Sequence, residues 1–464
     1  MLWAALVALL FAPAAAASLS DRISNIINDK AQKTARFTIK IVDASSARTL
    51  YTLNSEEPMA PASNMKIISS GAAMHYLGAD YRFVTRVGII DNSLVVIGGG
   101  DPLLGDWLTD QRHGRSPGWL LDDIVYALQE NKKTKLDEII IDWHVFDNNR
   151  VCKNWPAEQL NQSFACEVSG LNYNRNCIKI SARRSGSKAV VTLDPATRYL
   201  DIINEVTVAP KGSSVIAAYR TPQANRLKIV GRAAEDAGAS ADVAIEAPAA
   251  YFGVLLAEHL ARSGITIPNH IVQKYAGNES RIKIIREYGT PMTDVLARCN
   301  KDSFNLAAEA LVKTISAEHT DRRINGEWPH GQVLIGRYLQ SLGIAADEFV
   351  LDDGSGLSRA NRLTANAITK VLLDIYHREY WAVFRESLAV GGADGTLGRH
   401  FQSAKYRGKI IGKTGYLDRV RSFSGVCATR QGDVIFCILT SGGSAATRVA
   451  INSIAEAIID EMGG

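Results

Sequence analysis

Residues 409–443 read KIIGKTGYLDRVRSFSGVCATRQGDVIFCILTSGG. Three segments in this stretch, KIIGKTGY, SFSGVCATR and DVIFCILTSGG, are rich in β-branched and aromatic residues and are separated by short polar breaks, the pattern of consecutive antiparallel strands. A helix is expected next, roughly from Ala445 to Glu461, with Val449, Ile451, Ile454, Ile458 and Ile459 facing a core. Upstream, TDVLARCN, FNLAAEALVKTISAE, HGQVLIGRYLQSLG, TANAITKVLLDIYH and WAVFRESLAV all show helical apolar spacing. Helices followed by a three-stranded meander and a covering helix give an α+β fold class.

At the other end of the chain, SLSDRISNIINDKAQK reads as a short helix, and RFTIKIVDA with Thr49 to Leu53 as a hairpin turning through Ser45 to Arg48. The segment EEPMAPASNMKIISSGAAMHYLG predicts a helix from Ser63 to Leu77, with Met65, Ile68, Ala72 and Tyr76 on one face and Gly78 as its stop. Between Tyr81 and Pro268 the texture changes to short alternating strands with Gly-, Asn-, Asp- and Ser-rich turns, closing with a helix at about Ala249 to Ser263. The expected organisation is therefore residues 18–80 and 266–464 sharing one core, with 81–265 as a largely β-rich insertion.

Composition narrows the class only a little. The 464 residues are 46% hydrophobic and 22% charged, with 52 basic and 48 acidic side chains and a formal net charge of +4. No long like-charge block suggests nucleic acid as a partner. Residues 1–17 form an uncharged, Ala-rich run that reads as a cleavable export signal with cleavage after Ala17, although it lacks a basic leading region. The final helix carries acidic residues near its end and not a lipid-seeking basic face, so no stable membrane anchor is expected.

The nine histidines and six cysteines have no zinc spacing, and neither a metal nor a cofactor is expected. One disulfide within the insertion is expected, Cys152–Cys166 first and Cys166–Cys177 as the alternative. Cys427 and Cys437 flank a turn near Arg430 to Asp433. If Thr429 faces Val434, strand alternation sends the two sulfurs to opposite faces, and both are free.

Three short motifs carry chemistry. Ser63 and Lys66 form S-x-x-K at a helix start, where positions i and i+3 share a face and the amine reaches the hydroxyl. Alone, the pattern fits a capping serine beside a surface lysine more often than a nucleophile and its base. Ser303-Phe304-Asn305, just before a helix, and Lys413-Thr414-Gly415, on the first strand of the meander, reverse that balance. The order S-x-x-K, S-x-N, K-T-G is that of penicillin-binding proteins and β-lactamases.

With APASNMKI, CNKDSFNLAAEAL, LDDGSGLSRAN, AVGGADGTLGR, IGKTGYL and GGGDPLL, the chain resembles the class C low-molecular-weight penicillin-binding proteins, the D-alanyl-D-alanine carboxypeptidase/endopeptidase family, over essentially all of its mature length. Ser63 and Ser303 are 240 positions apart, which matches the large insertion of that family. The resemblance implies a penicillin-binding/β-lactamase-like domain, an antiparallel sheet flanked by helices, that cleaves peptidoglycan peptides through an acyl-enzyme on Ser63 and is trapped covalently by β-lactam antibiotics.

In that reading Lys66 takes the Ser63 proton, Ser303 relays protons to the leaving group, Asn305 holds the substrate amide and positions Lys66, and Lys413 supplies positive field. Thr414 binds the terminal carboxylate, Gly415 lets the peptide lie along the strand, and the backbone N–H groups of Ser63 and Tyr416 form the oxyanion hole. Arg359 is assigned to a charged end of the stem peptide, with capping of a helix or pairing to Asp353 as its structural alternatives. Asp394 and Gly395 shape a loop, and Gly98 to Asp101 make a tight turn. The expected location is the periplasm. An esterase or β-lactamase-like hydrolase and a non-catalytic wall-binding protein are the alternatives.

Overall fold

The computed structural model describes residues 18–463 except 235–237, 268–270, 274, 277–278 and 321–322; the expected export segment and its cleavage after Ala17 lie outside the described residues. The meander is present and is extended on both sides. Six strands lie in the order Ala389–Val390, Ile410–Leu417, Val420–Thr429, Gly432–Ser441, Arg36–Asp43 and Thr49–Leu53, so the two ends of the chain pair directly. Arg36 faces Ser441 and Asp43 faces Val434.

Strand alternation sorts this sheet onto two cores. Phe37, Ile39, Ile41, Phe423, Cys427, Val434, Phe436 and Ile438 face the helices Leu19–Ile27 and Ala445–Glu461. Val426, Ile435, Cys437 and Leu439 face the opposite way, towards the helix Met65–Tyr76 and its neighbours. Each fully buried Ile or Phe side chain contributes about 1.5–3 kcal/mol by leaving water, so both faces hold the sheet strongly.

The helix Met65–Tyr76 is buried from Met65 through Met74 and not along one stripe. Helices Met292–Asn300, Asn305–Glu318, Trp328–Ser341 and Ala365–Tyr376 surround it. A helix enclosed in this way must pack on every side, which is why the expected one-sided pattern understates its burial.

The region after Tyr81 is β-rich but also contains two helices that its texture hides, Trp107–Arg112 and Trp119–Glu130. Strands Ser93–Ile97 and Ile139–Asp142 pair in parallel, and parallel neighbours need a long crossover, here built from those helices. The five-stranded sheet runs Ile271–Gln273, Ile139–Asp142, Ser93–Ile97, Arg82–Ile90, Lys283–Pro291. The boundary expected after residue 265 therefore falls inside this unit, whose last strand pairs Pro291 with Arg82. Two three-stranded sheets complete the region, Ala239–Ala244/Cys177–Ser185/Lys188–Asp194 and Asp201–Val208/Arg226–Ala233/Val215–Arg220.

The cysteine expectations need two corrections. All six cysteines are free and buried. No bridge forms in the insertion, where the Cys152 thiol instead donates to the Asp352 carbonyl at 3.4 Å. In the C-terminal hairpin Thr429 faces Gly432, and not Val434, because the turn is only Arg430-Gln431. The shift is by two positions, so the parity of the faces survives: Cys427 lies in one core and Cys437 in the other.

Candidate active site

Ser63 sits in the single 3-10 turn Ala62–Asn64 that feeds the helix Met65–Tyr76. Ala62 holds φ +49, a left-handed value that an alanine adopts only where the surroundings enforce it. The neighbouring Asn64 is fully buried. In the amide orientation that satisfies both ends, its Nδ2 donates to the Lys413 carbonyl at 2.7 Å and its Oδ1 meets Ser424. This contact pins the Ser63 turn to the K-T-G strand, and Ser422 adds a hydroxyl bond to the Pro61 carbonyl at 2.7 Å.

Lys66, one turn along, is buried completely. Its Nζ lies 3.2 Å from Ser63 Oγ, 2.6 Å from Asn305 Oδ1 and 2.8 Å from the Ser355 carbonyl. Burial lowers its proton affinity to about 8, against the opposing pull of Cys299, Glu309 and Asp353. Asn305 opens the helix Asn305–Glu318, and its Nδ2 donates to the Phe164 carbonyl of the insertion at 2.7 Å. That second bond fixes which end of the amide meets Lys66.

Ser303 lies in the turn between two helices with φ +59. Lys413 Nζ donates to Ser303 Oγ at 2.9 Å and to its own Thr414 carbonyl at 2.8 Å. Burial, and then the charge of Lys66, hold the Lys413 ammonium well below the usual lysine range. The Ser303 turn is anchored by Arg298, whose Nε and Nη2 donate to the two oxygens of buried Asp106 at 2.9 and 3.2 Å, and whose Nη1 donates to Asp302 at 2.8 Å.

The K-T-G strand presents an open edge. Ala389–Val390 covers only Gly412 and Ile411, so among the described residues no strand pairs with the stretch from Lys413 onward on that side. Thr414 Oγ1 meets Thr396 Oγ1 at 3.0 Å. A Cβ on Gly415 would lie 2.0 Å from Ser422 Oγ and 3.0 Å from the Ser63 nitrogen, so this position must be glycine for the strand to pass so close to Ser63. Arg448 Nη2 donates to the Gly415 carbonyl at 3.3 Å. The Tyr416 ring is 65% exposed, with the Arg421 guanidinium 4.1 Å above it.

Beneath Lys66 runs the loop of residues 352–358. Glu309 accepts from Gly354 N, Ser355 N and Trp328 Nε1, all at 2.8 Å. Asp353 accepts from Gly356 N, Ser358 N and Asn361 Nδ2 at 2.7 Å and from Trp155 Nε1 at 2.9 Å. With its carboxylate so occupied, Asp353 does not pair with Arg359, which is exposed and donates to the Asp418 carbonyl at 3.0 Å, just beyond the K-T-G strand. Asp394 binds Lys301 at 2.7 Å and the Val390 N–H at 2.9 Å, and Gly395 holds φ +53 against the Lys301 carbonyl, a loop-shaping pair. Gly98 and Gly99 are close-approach positions more than turn formers: a Cβ on Gly99 would sit 2.1 Å from the Val84 carbonyl.

The structure thus brings Ser63, Lys66 and Asn305 into one bonded group and Ser303 and Lys413 into a second beside it. Sequence reasoning missed Asn64, Arg298, Asp106, Glu309, Ser355, Thr396 and Arg448. Glu309 lies four residues after Asn305 on one helix and was discoverable as a charged residue in the apolar run NLAAEALV; the others had no local signal. Among the described residues no group of three or more His, Cys, Asp or Glu could hold a metal ion, and no helix is long and apolar enough to cross a membrane.

The model of the D-Ala-D-Ala carboxypeptidase 3 (S13) family matches residues 19–461. A D-alanyl-D-alanine carboxypeptidase of Actinomadura sp. (strain R39) is 25% identical over 96% of this chain and 85% of its own length. A D-alanyl-D-alanine carboxypeptidase of Haemophilus influenzae is 23% identical over 81% of this chain and 79% of its own. The crystal structure of penicillin binding protein 4 from Haemophilus influenzae superposes with a TM-score of 0.80 at 20% identity, covering 95% of this chain and 98% of that one, so the fold is shared.

Proposed function

The chain belongs to the D-Ala-D-Ala carboxypeptidase 3 (S13) family, a serine-type D-Ala-D-Ala carboxypeptidase, and we propose that Ser63 is its nucleophile and Lys66 its base. One observation carries this reading. Two carbonyl oxygens, Asn305 Oδ1 and Ser355 O, take two of the Lys66 N–H bonds. In the neutral amine the remaining valence is a lone pair aimed at Ser63 Oγ, 3.2 Å away.

The steps follow. Lys66 Nζ takes the Ser63 hydroxyl proton as Oγ bonds to the carbonyl carbon of the penultimate D-alanine. The oxyanion is held by the Ser63 and Tyr416 N–H groups, a role supported by the close approach of Gly415 to the Ser63 nitrogen. The carbon–nitrogen bond breaks, and the leaving amine takes, through Ser303 beside the Lys413 ammonium, the proton that Lys66 accepted, which leaves Lys66 neutral again. Water then hydrolyses the ester on Ser63. Thr414 and the open edge of its strand receive the C-terminal D-alanine as an added β-strand. Arg359, at the end of that strand, binds a carboxylate of the stem peptide.

On the same reading β-lactams acylate Ser63, as the structure of penicillin binding protein 4 from Haemophilus influenzae with a β-lactam suggests by analogy. The enzyme works in the periplasm after export, on peptidoglycan peptides, with endopeptidase cleavage of cross-links as a second reaction of the same site. The inserted unit is best bounded at about residues 81–291. Incubation with peptidoglycan fragments tests the reading: release of terminal D-alanine supports it, splitting of cross-linked dimers adds the endopeptidase, and neither product, with no penicillin label, rejects it.

A further inference from the structure

We propose that Glu309 is a positioning residue for the Ser63–Lys66 pair, whose carboxylate clamps the Gly354 and Ser355 N–H groups and so aims the Ser355 carbonyl at Lys66 Nζ. The inference rests on the proposed roles of Ser63 and Lys66 and adds a residue that those roles do not include.

Geometry makes the link. Asn305 and Glu309 are one turn apart on the same helix and share a face. Asn305 meets Lys66 directly, and Glu309 meets it through the loop. That loop cannot back away: a Cβ on Gly354 would lie 2.6 Å from the Ala308 carbonyl, and one on Gly356, at φ +80, 1.8 Å from the Ala62 carbonyl. The loop is wedged between the Asn305–Glu318 helix and the turn that carries Ser63. Its carbonyl is therefore aimed by whatever holds its N–H groups, and that is Glu309. Only a carboxylate offers acceptors at both oxygens; a glutamine would turn an NH2 towards one of the loop N–H groups.

Glu309 is also a buried acid with no directly bonded cation among the described residues. Lys313, one turn further on, is committed to Asp147 Oδ1 and the Asn149 carbonyl, both at 2.6 Å. Burial and the neighbouring Asp353 push the Glu309 carboxyl up to about 7. The charged and titratable groups around it are Lys66, Lys313, Asp353, Cys152 and Cys299. Those acting on Lys66 come from three elements, Cys299, Glu309 and Asp353, and the charge of Lys66 in turn acts on Lys413. An anionic Glu309 stabilises the Lys66 ammonium, so its removal makes Lys66 easier to deprotonate.

The test is the pH profile of penicillin acylation and of D-alanine release for Glu309→Gln and Glu309→Asp beside the unaltered protein. Glu309→Gln is expected to lower the plateau rate roughly tenfold to a hundredfold and to move the acid limb down by about one pH unit. Glu309→Asp keeps the charge but not the reach, so it should lower the plateau and leave the limb in place. A purely structural role predicts a lower melting temperature with limb and plateau unchanged, and that result overturns the inference. If Glu309→Gln does not fold, an unchanged plateau in Glu309→Asp overturns it alone. An unaltered protein that neither takes label nor releases D-alanine rejects the proposed function first, a distinguishable failure.

Discussion

Lys66 Nζ lies 2.6 Å from Asn305 Oδ1, although the two residues are 239 positions apart in the chain. The other end of the same amide is held at 2.7 Å by the Phe164 carbonyl. Phe164, 141 positions before Asn305, therefore fixes the orientation of the amide that meets Lys66.

Asn305→Asp should follow from this contact. A carboxylate cannot donate to Phe164, and its charge beside Lys66 favours the ammonium. The acid limb of acylation should move to higher pH, opposite to the shift expected for Glu309→Gln, and the plateau should fall roughly a hundredfold. Stopped-flow labelling with a fluorescent penicillin across pH reads both effects.

Ser63→Ala should abolish covalent penicillin labelling while leaving the melting temperature nearly unchanged, since the substitution keeps the backbone and removes a hydroxyl whose contact is to Lys66 at 3.2 Å. Lys66→Ala should lose labelling almost as completely. Label on the Ser63→Ala protein, located by peptide mass mapping, would assign the nucleophile to another serine.

The rate of labelling should rise with pH. Lys66 acts as a base only when neutral, and burial brings its proton affinity down to about 8. Acylation is then slow below pH 7, half-maximal near 8 and flat above it. A rate independent of pH from 6 to 9 would count against Lys66 as the base.

Gly415→Ala should be harmful out of proportion to its size. The added methyl would meet Ser422 Oγ at 2.0 Å and the Ser63 nitrogen at 3.0 Å, an overpacking that costs about 1–3 kcal/mol. The melting temperature should drop, and acylation should fall further than that drop explains, because the displaced strand carries the Tyr416 N–H.

Alkylation of the unfolded, unreduced protein should count six free thiols. Fewer than six would reveal a bridge, and peptide mapping would show whether it lies among Cys152, Cys166 and Cys177.

What was legible in the sequence was legible because it is local. S-x-x-K works as a motif because three residues on a helix span one turn, and KIIGKTGY declares a strand by its own composition. The faces of Cys427 and Cys437 came out of strand parity alone, and survived a two-residue error in register because parity is unaffected by an even shift. The helix Trp119–Glu130 was also there to be read: Leu120, Leu121, Ile124, Val125 and Leu128 are buried at helical spacing. It was obscured by the strands around it.

By itself, then, the sequence determined the element types, the three motifs and their order, and so the family resemblance. Tertiary structure decided how those motifs meet and what supports them. Asn64 bridges to Lys413, Arg298 grips Asp106, Asn305 leans on Phe164, and Glu309 clamps a loop some 45 positions away. It also decided that Lys283–Pro291 closes the inserted sheet beside Arg82–Ile90. None of these pairings has a period or a spacing, because each joins segments whose separation along the chain is free and whose proximity is fixed only by the packing of the whole.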